Sequence, residues 1–331
     1  MVNIIRFLIA HIRLGYRIYV ISHIKMRSLM KEIENSTTTI SFEISENLRK
    51  RMSFYIGIIL YETTLINQLR GRKLSAIENQ RACFLGALTP LFDDLNDELN
   101  LDTASIKKLF DTQLGSEDPR LQFAQFLDQK LEALTIDSPR FFEVVEETTV
   151  AQDRSMAQLE SLFLSPSELR KISREKGGYA AMLYASLLEK PPKPNEELAQ
   201  FELGYSLQLI NDMFDIWKDK QNKQQTLFTN SADWNQEAKE FEHTLENVYS
   251  RFLALDYSPK DTRRFFINIS ILYGRAQVCL EQLLALQAQK GTLVTKHSFE
   301  RKELICDMEK PKNIWSAFRF SMALYKRYYP K

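Results

Sequence analysis

Four prolines in this chain each follow a side chain able to cap a helix: Asp118-Pro119, Ser138-Pro139, Ser165-Pro166 and Ser258-Pro259. The capping oxygen satisfies a free backbone N–H, and proline suits the first helical position because its missing N–H would go unpaired there anyway. Ser75-x-x-Glu78 and Ser165-x-x-Glu168 add two capping boxes. Between these marks apolar residues recur at intervals of three and four, not two, so no strand is expected. Gly and Pro number only ten each in 331 residues, which leaves little turn material and implies long elements. The fold class that follows is all-α: one bundle of about ten to twelve helices. The expected spans are 2–33, 41–69, 76–98, 103–114, 119–134, 139–163, 166–189, 195–221, 233–255, 259–289, 298–309 and 312–329. Pro191, Pro192 and Pro194 form the one breaker cluster, and no linker or repeat divides residues 1–331, so a single domain is expected.

Charge and cysteine content exclude several function classes. The formal net charge is +1, with 44% apolar and 26% charged residues, which suits a globular chain and lacks the basic excess of a nucleic-acid binder. Cys83, Cys279 and Cys306 form no C-x-x-C pair, and His11, His23, His243 and His297 are equally scattered. They read as reduced thiols and structural histidines of a cytoplasmic protein rather than a disulfide or zinc framework. No run of eighteen apolar residues could cross a bilayer. Residues 1–33 form a basic amphipathic helix in which Arg6, Arg13, Arg17, Lys25, Arg27 and Lys31 meet no acid before Glu32. Charges interrupt it too often for a secretory core. Three readings stand: a transit peptide, a helix lying on an anionic membrane surface, or a first helix packed on the domain.

Two later helices carry the chemistry. Ala82 to Phe92 is almost entirely apolar and runs straight into Asp93-Asp94-Leu95-Asn96-Asp97. A helix apolar all round is buried, and carboxylates at its end are costly without a partner. Asp93 and Asp97 share a face with Asp94 beside them, a crowding that a cation would relieve. Pro90 either kinks this helix or restarts it behind a Thr89 cap. In the second helix, apolar side chains from Phe201 to Trp217 cover most of the circumference. A polar stripe of Gly204, Gln208, Asn211, Asp215 and Asp219 runs through them. Asn211, Asp215 and Asp219 span about 12 Å, and their oxygen donors suit magnesium rather than zinc.

Asp93-Asp94-Leu95-Asn96-Asp97 resembles the DDxxD motif of class I isoprenoid (terpenoid) synthases. Asn211-Asp212-Met213-Phe214-Asp215-Ile216-Trp217-Lys218-Asp219 is similar to the second metal motif of terpene cyclases, with Asp215 and Asp219 at positions usually held by Ser/Thr and Glu. Gly204 to Asp215 also resembles the G-x-x-(F/L)-Q-x-x-(D/N) stretch of prenyl elongating enzymes and squalene synthases. The resemblance implies helices around a deep apolar pocket, with both motifs facing across its mouth to hold Mg²⁺ and a prenyl diphosphate. It implies metal ligands at Asp93, Asp94, Asp97, Asn211, Asp215 and Asp219.

Between the motifs, Gly177 and Gly178 interrupt an otherwise good helix at about 1 kcal/mol each relative to Ala. That cost points to a helix break or a close backbone approach. The resemblance adds a reason: terpene cyclases place a diphosphate-sensing arginine before such a break, a spacing Arg174 shares. Elongating enzymes place a lysine there, which Lys176 matches. A solvated helix junction is the structural alternative. Arg327-Tyr328 is similar to the C-terminal Arg-Tyr pair that closes on diphosphate in bacterial cyclases, although a solvated tail explains it equally. Arg70-Gly71-Arg72-Lys73 lies too close to Asp93 for the basic loop of elongating enzymes.

The function expected is therefore Mg²⁺-dependent ionisation of a prenyl diphosphate, with an apolar pocket guiding the carbocation to a terpenoid product. Two alternatives stand beside it. One is prenyl transfer or squalene synthase-like condensation. The other is a non-catalytic helical module that binds a partner or a membrane surface.

Overall fold

The computed structural model describes residues 4–34, 44–99, 118–159, 162–292, 295 and 298–329. Every regular element among them is helical, so the all-α expectation holds. In chain order these are α1 (Ile4–Gly15), a π-helical segment (Tyr16–Ile21), α2 (Ser22–Glu34), α3 (Glu46–Leu69), α4 (Ala76–Leu99), α5 (Pro119–Thr135) and α6 (Pro139–Ser155). After a 3₁₀ turn (Met156–Leu159) come α7 (Pro166–Ser186), α8 (Glu196–Phe214), α9 (Ile216–Gln221), α10 (Leu227–Asn230), α11 (Trp234–Leu253), α12 (Pro259–Lys290), α13 (Arg301–Leu304) and α14 (Pro311–Tyr328). The helix expected over 103–114 lies outside the described residues.

Each capped proline opens a helix. Asp118 accepts from Arg120 N at 2.8 Å ahead of α5, and Ser258 accepts from Asp261 N at 3.2 Å ahead of α12. Both capping boxes close, with Glu78 accepting from Ser75 N at 2.8 Å and Glu168 from Ser165 N at 2.7 Å. Pro90 lies inside α4 and does not restart it, and Thr89 Oγ1 turns back on Leu85 O at 2.8 Å. The span expected over 195–221 divides at Asp215, whose backbone leaves the helical region (φ −92, ψ 4) and hinges α8 to α9.

The chain packs as two compact units, each drawn from separate stretches. One comprises Ile12–Asp153 and Leu183–Pro191. In it Met52, Ile56 and Ile59 of α3, Phe84 and Leu91 of α4, and Phe123 of α5 are buried. Glu78 is also buried, but its carboxylate is satisfied by Ser75 N, Asn67 Nδ2 at 2.7 Å and Glu189 N at 3.0 Å. Burying that charge costs less because three donors face it. The other unit comprises Met1–His11, Arg154–Met182 and Pro192–Lys331. Its core is aromatic: Tyr205, Trp234, Tyr249, Phe252, Phe265 and Tyr273 are all buried. Buried tyrosines need partners for their hydroxyls, which Ser206 gives Tyr273 at 2.9 Å and Ser270 gives Tyr249 at 2.6 Å.

Candidate functional site

The acid-bearing helices fall one in each unit: α4 in the first, α8 and α9 in the second. On α4 the carboxylates meet α3. The Arg51 guanidinium donates to Asp94 Oδ1 and stands 4.0 Å from Asp93, while Tyr55 OH donates to Asp93 Oδ2 at 3.4 Å. Arg51 also reaches the carbonyl of Pro90 at 3.4 Å. The first motif is thus half-exposed and carries its own counter-charge. Asp97 lies on α4, but its side chain is outside those described.

The second motif is arranged differently from the stripe expected. Asn211 is exposed, whereas Asp212 is buried, so the polar line runs Gly204, Gln208, Asp212, Asp215, Asp219, with Gln208 and Asp215 half-buried. The shift is one residue along the helix. Gln208 Nε2 donates to Asp212 Oδ1 at 2.8 Å, and Ser173 of α7 donates to Oδ2 at 3.2 Å. Burial pushes the Asp212 carboxyl up to about 6 despite those donors. Burial, with the charges of Asp212 and Asp215 behind it, pushes Asp219 up to about 7. Asp215 is also raised by burial and is eased by Lys218, whose Nζ is 4.0 Å away. Lys176 on α7 lowers both Asp212 and Asp219 through its charge.

The glycine pair does not break α7, which runs unbroken from Pro166 to Ser186. It permits a close crossing instead. A Cβ on Gly177 would stand 2.3 Å from Gly204 O, and one on Gly204 would stand 2.1 Å from Gly177 O. A Cβ on Gly178 would meet the Phe201 ring at 2.5 Å. The helical cost of two glycines is therefore offset by close packing of α7 on the Gly204 backbone and the Phe201 ring of α8. That crossing brings Ser173 and Lys176 beside Gln208 and Asp212.

The basic residues expected to sense diphosphate divide. Lys176 belongs to the carboxylate cluster. Arg174 does not: it pairs with buried Glu202, and its guanidinium lies 5.9 Å from the Phe201 ring and 5.6 Å from the Tyr205 ring. Arg327 pairs with Glu242 at 2.6 Å and Glu246 at 3.4 Å on α11. Tyr328 stacks on Tyr249, with ring centroids 4.6 Å apart. The C-terminal pair thus fastens α14 to α11 in this structure.

Sequence reasoning missed Asp212, Ser173 and Arg51. Asp212 was within reach of it, since Gln208 and Asp212 are an i, i+4 pair. The donors of this cluster are all oxygens, which suits a hard cation such as Mg²⁺. Burial is the largest cause of its raised carboxyls, with repulsion between the acids behind it at Asp219. Among the described residues no three His, Cys, Asp or Glu side chains converge closely enough to enclose a metal ion by themselves. A cation here would complete its shell with water or anion oxygens. Comparison of the chain with protein-family models, with curated proteins and with solved structures gives no match.

Proposed function

We propose that this chain is a Mg²⁺-dependent class I terpenoid synthase-like enzyme that ionises a prenyl diphosphate. The observation that carries the reading is the carboxylate cluster of α8 and α9. Three acids on neighbouring turns carry raised pKa values and face no guanidinium among the described residues. Asp215 and Asp219 are the donors for a divalent cation, with Asp212 fixed beside them by Gln208 and Ser173. When bound, Mg²⁺ supplies Lewis-acid stabilisation of the charge on the departing diphosphate. Lys176 supplies a fixed positive charge on the same face. Asp93 and Asp94 are proposed as further cation donors, and they must exchange their contact with Arg51 to serve. Arg174 and Arg327 are reserve diphosphate ligands only if they leave Glu202 and Glu242.

Those three arginines also favour the second reading, a non-catalytic helical module, because each is already held by a carboxylate of the protein. One assay separates the two. The full chain is incubated with allylic diphosphates of monoterpene, sesquiterpene and diterpene length, with and without Mg²⁺, and released diphosphate is measured. Mg²⁺-dependent release that falls by orders of magnitude in Asp215→Asn/Asp219→Asn is expected. Release only after isopentenyl diphosphate is added would assign chain elongation. Coupling of two identical units would assign condensation. No release, with no Mg²⁺-dependent thermal shift by diphosphate, leaves the non-catalytic module.

A further inference from the structure

The N-terminal helix presents apolar side chains on two opposite sides. Phe7, Ala10 and Leu14 are buried, and Phe7 meets Tyr325 edge-on at 5.5 Å. On the outward side Ile5, Leu8, Ile9, Ile12, Tyr16 and Tyr19 follow one another at helical spacing, each between 42 and 70% exposed. The stripe is about 20 Å long. An uninterrupted apolar stripe of that length in water is unusual unless something covers it. Arg6 and Arg13 are exposed and run along one edge of it. The stretch 1–31 contains six basic residues and no acid.

A second exposed pair lies in the unit that holds residues 1–11. Ile314 and Trp315 on α14 are exposed, and Trp315 stacks on Phe318, whose ring meets His11 of α1 at 5.6 Å. Around this pair lie Lys310, Lys312 and Arg319, and the sequence after Glu309 has no acid. Apolar side chains edged by arginine and lysine, with tyrosine and tryptophan among them, are the composition of a helix that lies in the headgroup region of a bilayer. No helix among the described residues is long and apolar enough to cross one. A second copy of the chain is a poorer cover, since matching stripes would set Arg6 and Arg13 against their own images.

We propose that the outward face of α1, with Ile314 and Trp315, docks on an anionic lipid surface. The test is flotation of the full chain with phosphatidylcholine vesicles and with vesicles that also contain phosphatidylglycerol. Binding is expected to the anionic vesicles and to weaken with salt. Leu8→Ser and Ile12→Ser should each weaken it roughly tenfold, and Arg6→Ala and Arg13→Ala about fivefold each. All four side chains are exposed, so thermal melting should be unchanged, and that is checked in parallel. Wild-type protein gives a second readout, because brominated lipid should quench emission that Trp315→Phe removes. Equal flotation with neutral and anionic vesicles would overturn the proposal. So would no flotation with Trp315 unquenched, or a dimer that Leu8→Ser dissolves.

Discussion

The carboxylates at the end of α4 and those spanning α8 and α9 look alike in the sequence and are treated in opposite ways by the fold. Asp93 and Asp94 meet a guanidinium and a phenol from α3, so their charge is already answered. Asp212 meets neutral donors from Gln208 and Ser173 and Asp215 has Lys218 at 4.0 Å, while burial and its two acidic neighbours raise Asp219. The first site is balanced and must give something up to take a cation. In the second, burial is the main cause of the raised carboxyls, and the proposed cation would offset it. A run of aspartates in a sequence therefore does not state its charge balance, which depends on what the neighbouring helix brings.

The comparison can be broken experimentally. The largest effect is expected at the crossing that builds the second cluster. Gly204→Ala forces a Cβ against Gly177 O, so unfolding in denaturant should show a loss of about 3 kcal/mol that the gain in helix propensity does not recover. A gain in stability would mean that the two helices are free to separate.

Asp219→Asn and Asp94→Asn should then differ in sign when metal is absent. Asp219 has its carboxyl raised from 3.8 to about 7, so the folded state holds a proton that the unfolded chain has lost. Stability from this group is present at low pH and falls as pH rises from about 4 to 7. Asp219→Asn should therefore stabilise the protein by about 2 kcal/mol at pH 8, a value reduced for the water that still reaches the group. The gain should vanish near pH 4, as melting at a series of pH values would show. Asp94→Asn removes a partner of Arg51 and should cost about 1 kcal/mol. Two substitutions of the same sign would remove the contrast.

Smaller again is Arg51→Gln, expected to lower stability by about 1 kcal/mol or less and to tighten Mg²⁺ binding at α4, measured by calorimetry. Unchanged affinity would show that the arginine does not compete with a cation. The smallest effect is expected at Arg327→Ala, whose exposed pairs with Glu242 and Glu246 should contribute about 0.5 kcal/mol. A large loss of diphosphate release in that variant would return Arg327 to the site.

Helix starts were legible in the sequence wherever a capping side chain preceded proline, because caps act within three or four residues. Pro119, Pro139, Pro166 and Pro259 all open helices. Features set by distant partners were not legible. The π segment at Tyr16–Ile21, the hinge at Asp215 and the one-turn helices α10 and α13 depend on packing that spacing does not encode. In the second motif the polar stripe was readable, but the choice between Asn211 and Asp212 was not. A rotation of about 100° about the helix axis exchanges them, and the packing of the neighbouring helices fixes that rotation. Gly177 and Gly178 were visibly costly to a helix, yet only the backbone of Gly204 and the ring of Phe201 explain the cost.

The contact between Gly177 and Gly204 also bears on how quickly this region can respond. Interlocked side chains hop between rotamers in nanoseconds, but two main chains in van der Waals contact have no rotamers to change. Ser173 and Lys176 on one helix and Gln208 and Asp212 on the other are therefore indexed to each other by backbone. A ligand that accepts this spacing finds it ready. One that requires the two main chains at a different spacing must move two helices, a rearrangement of microseconds to milliseconds.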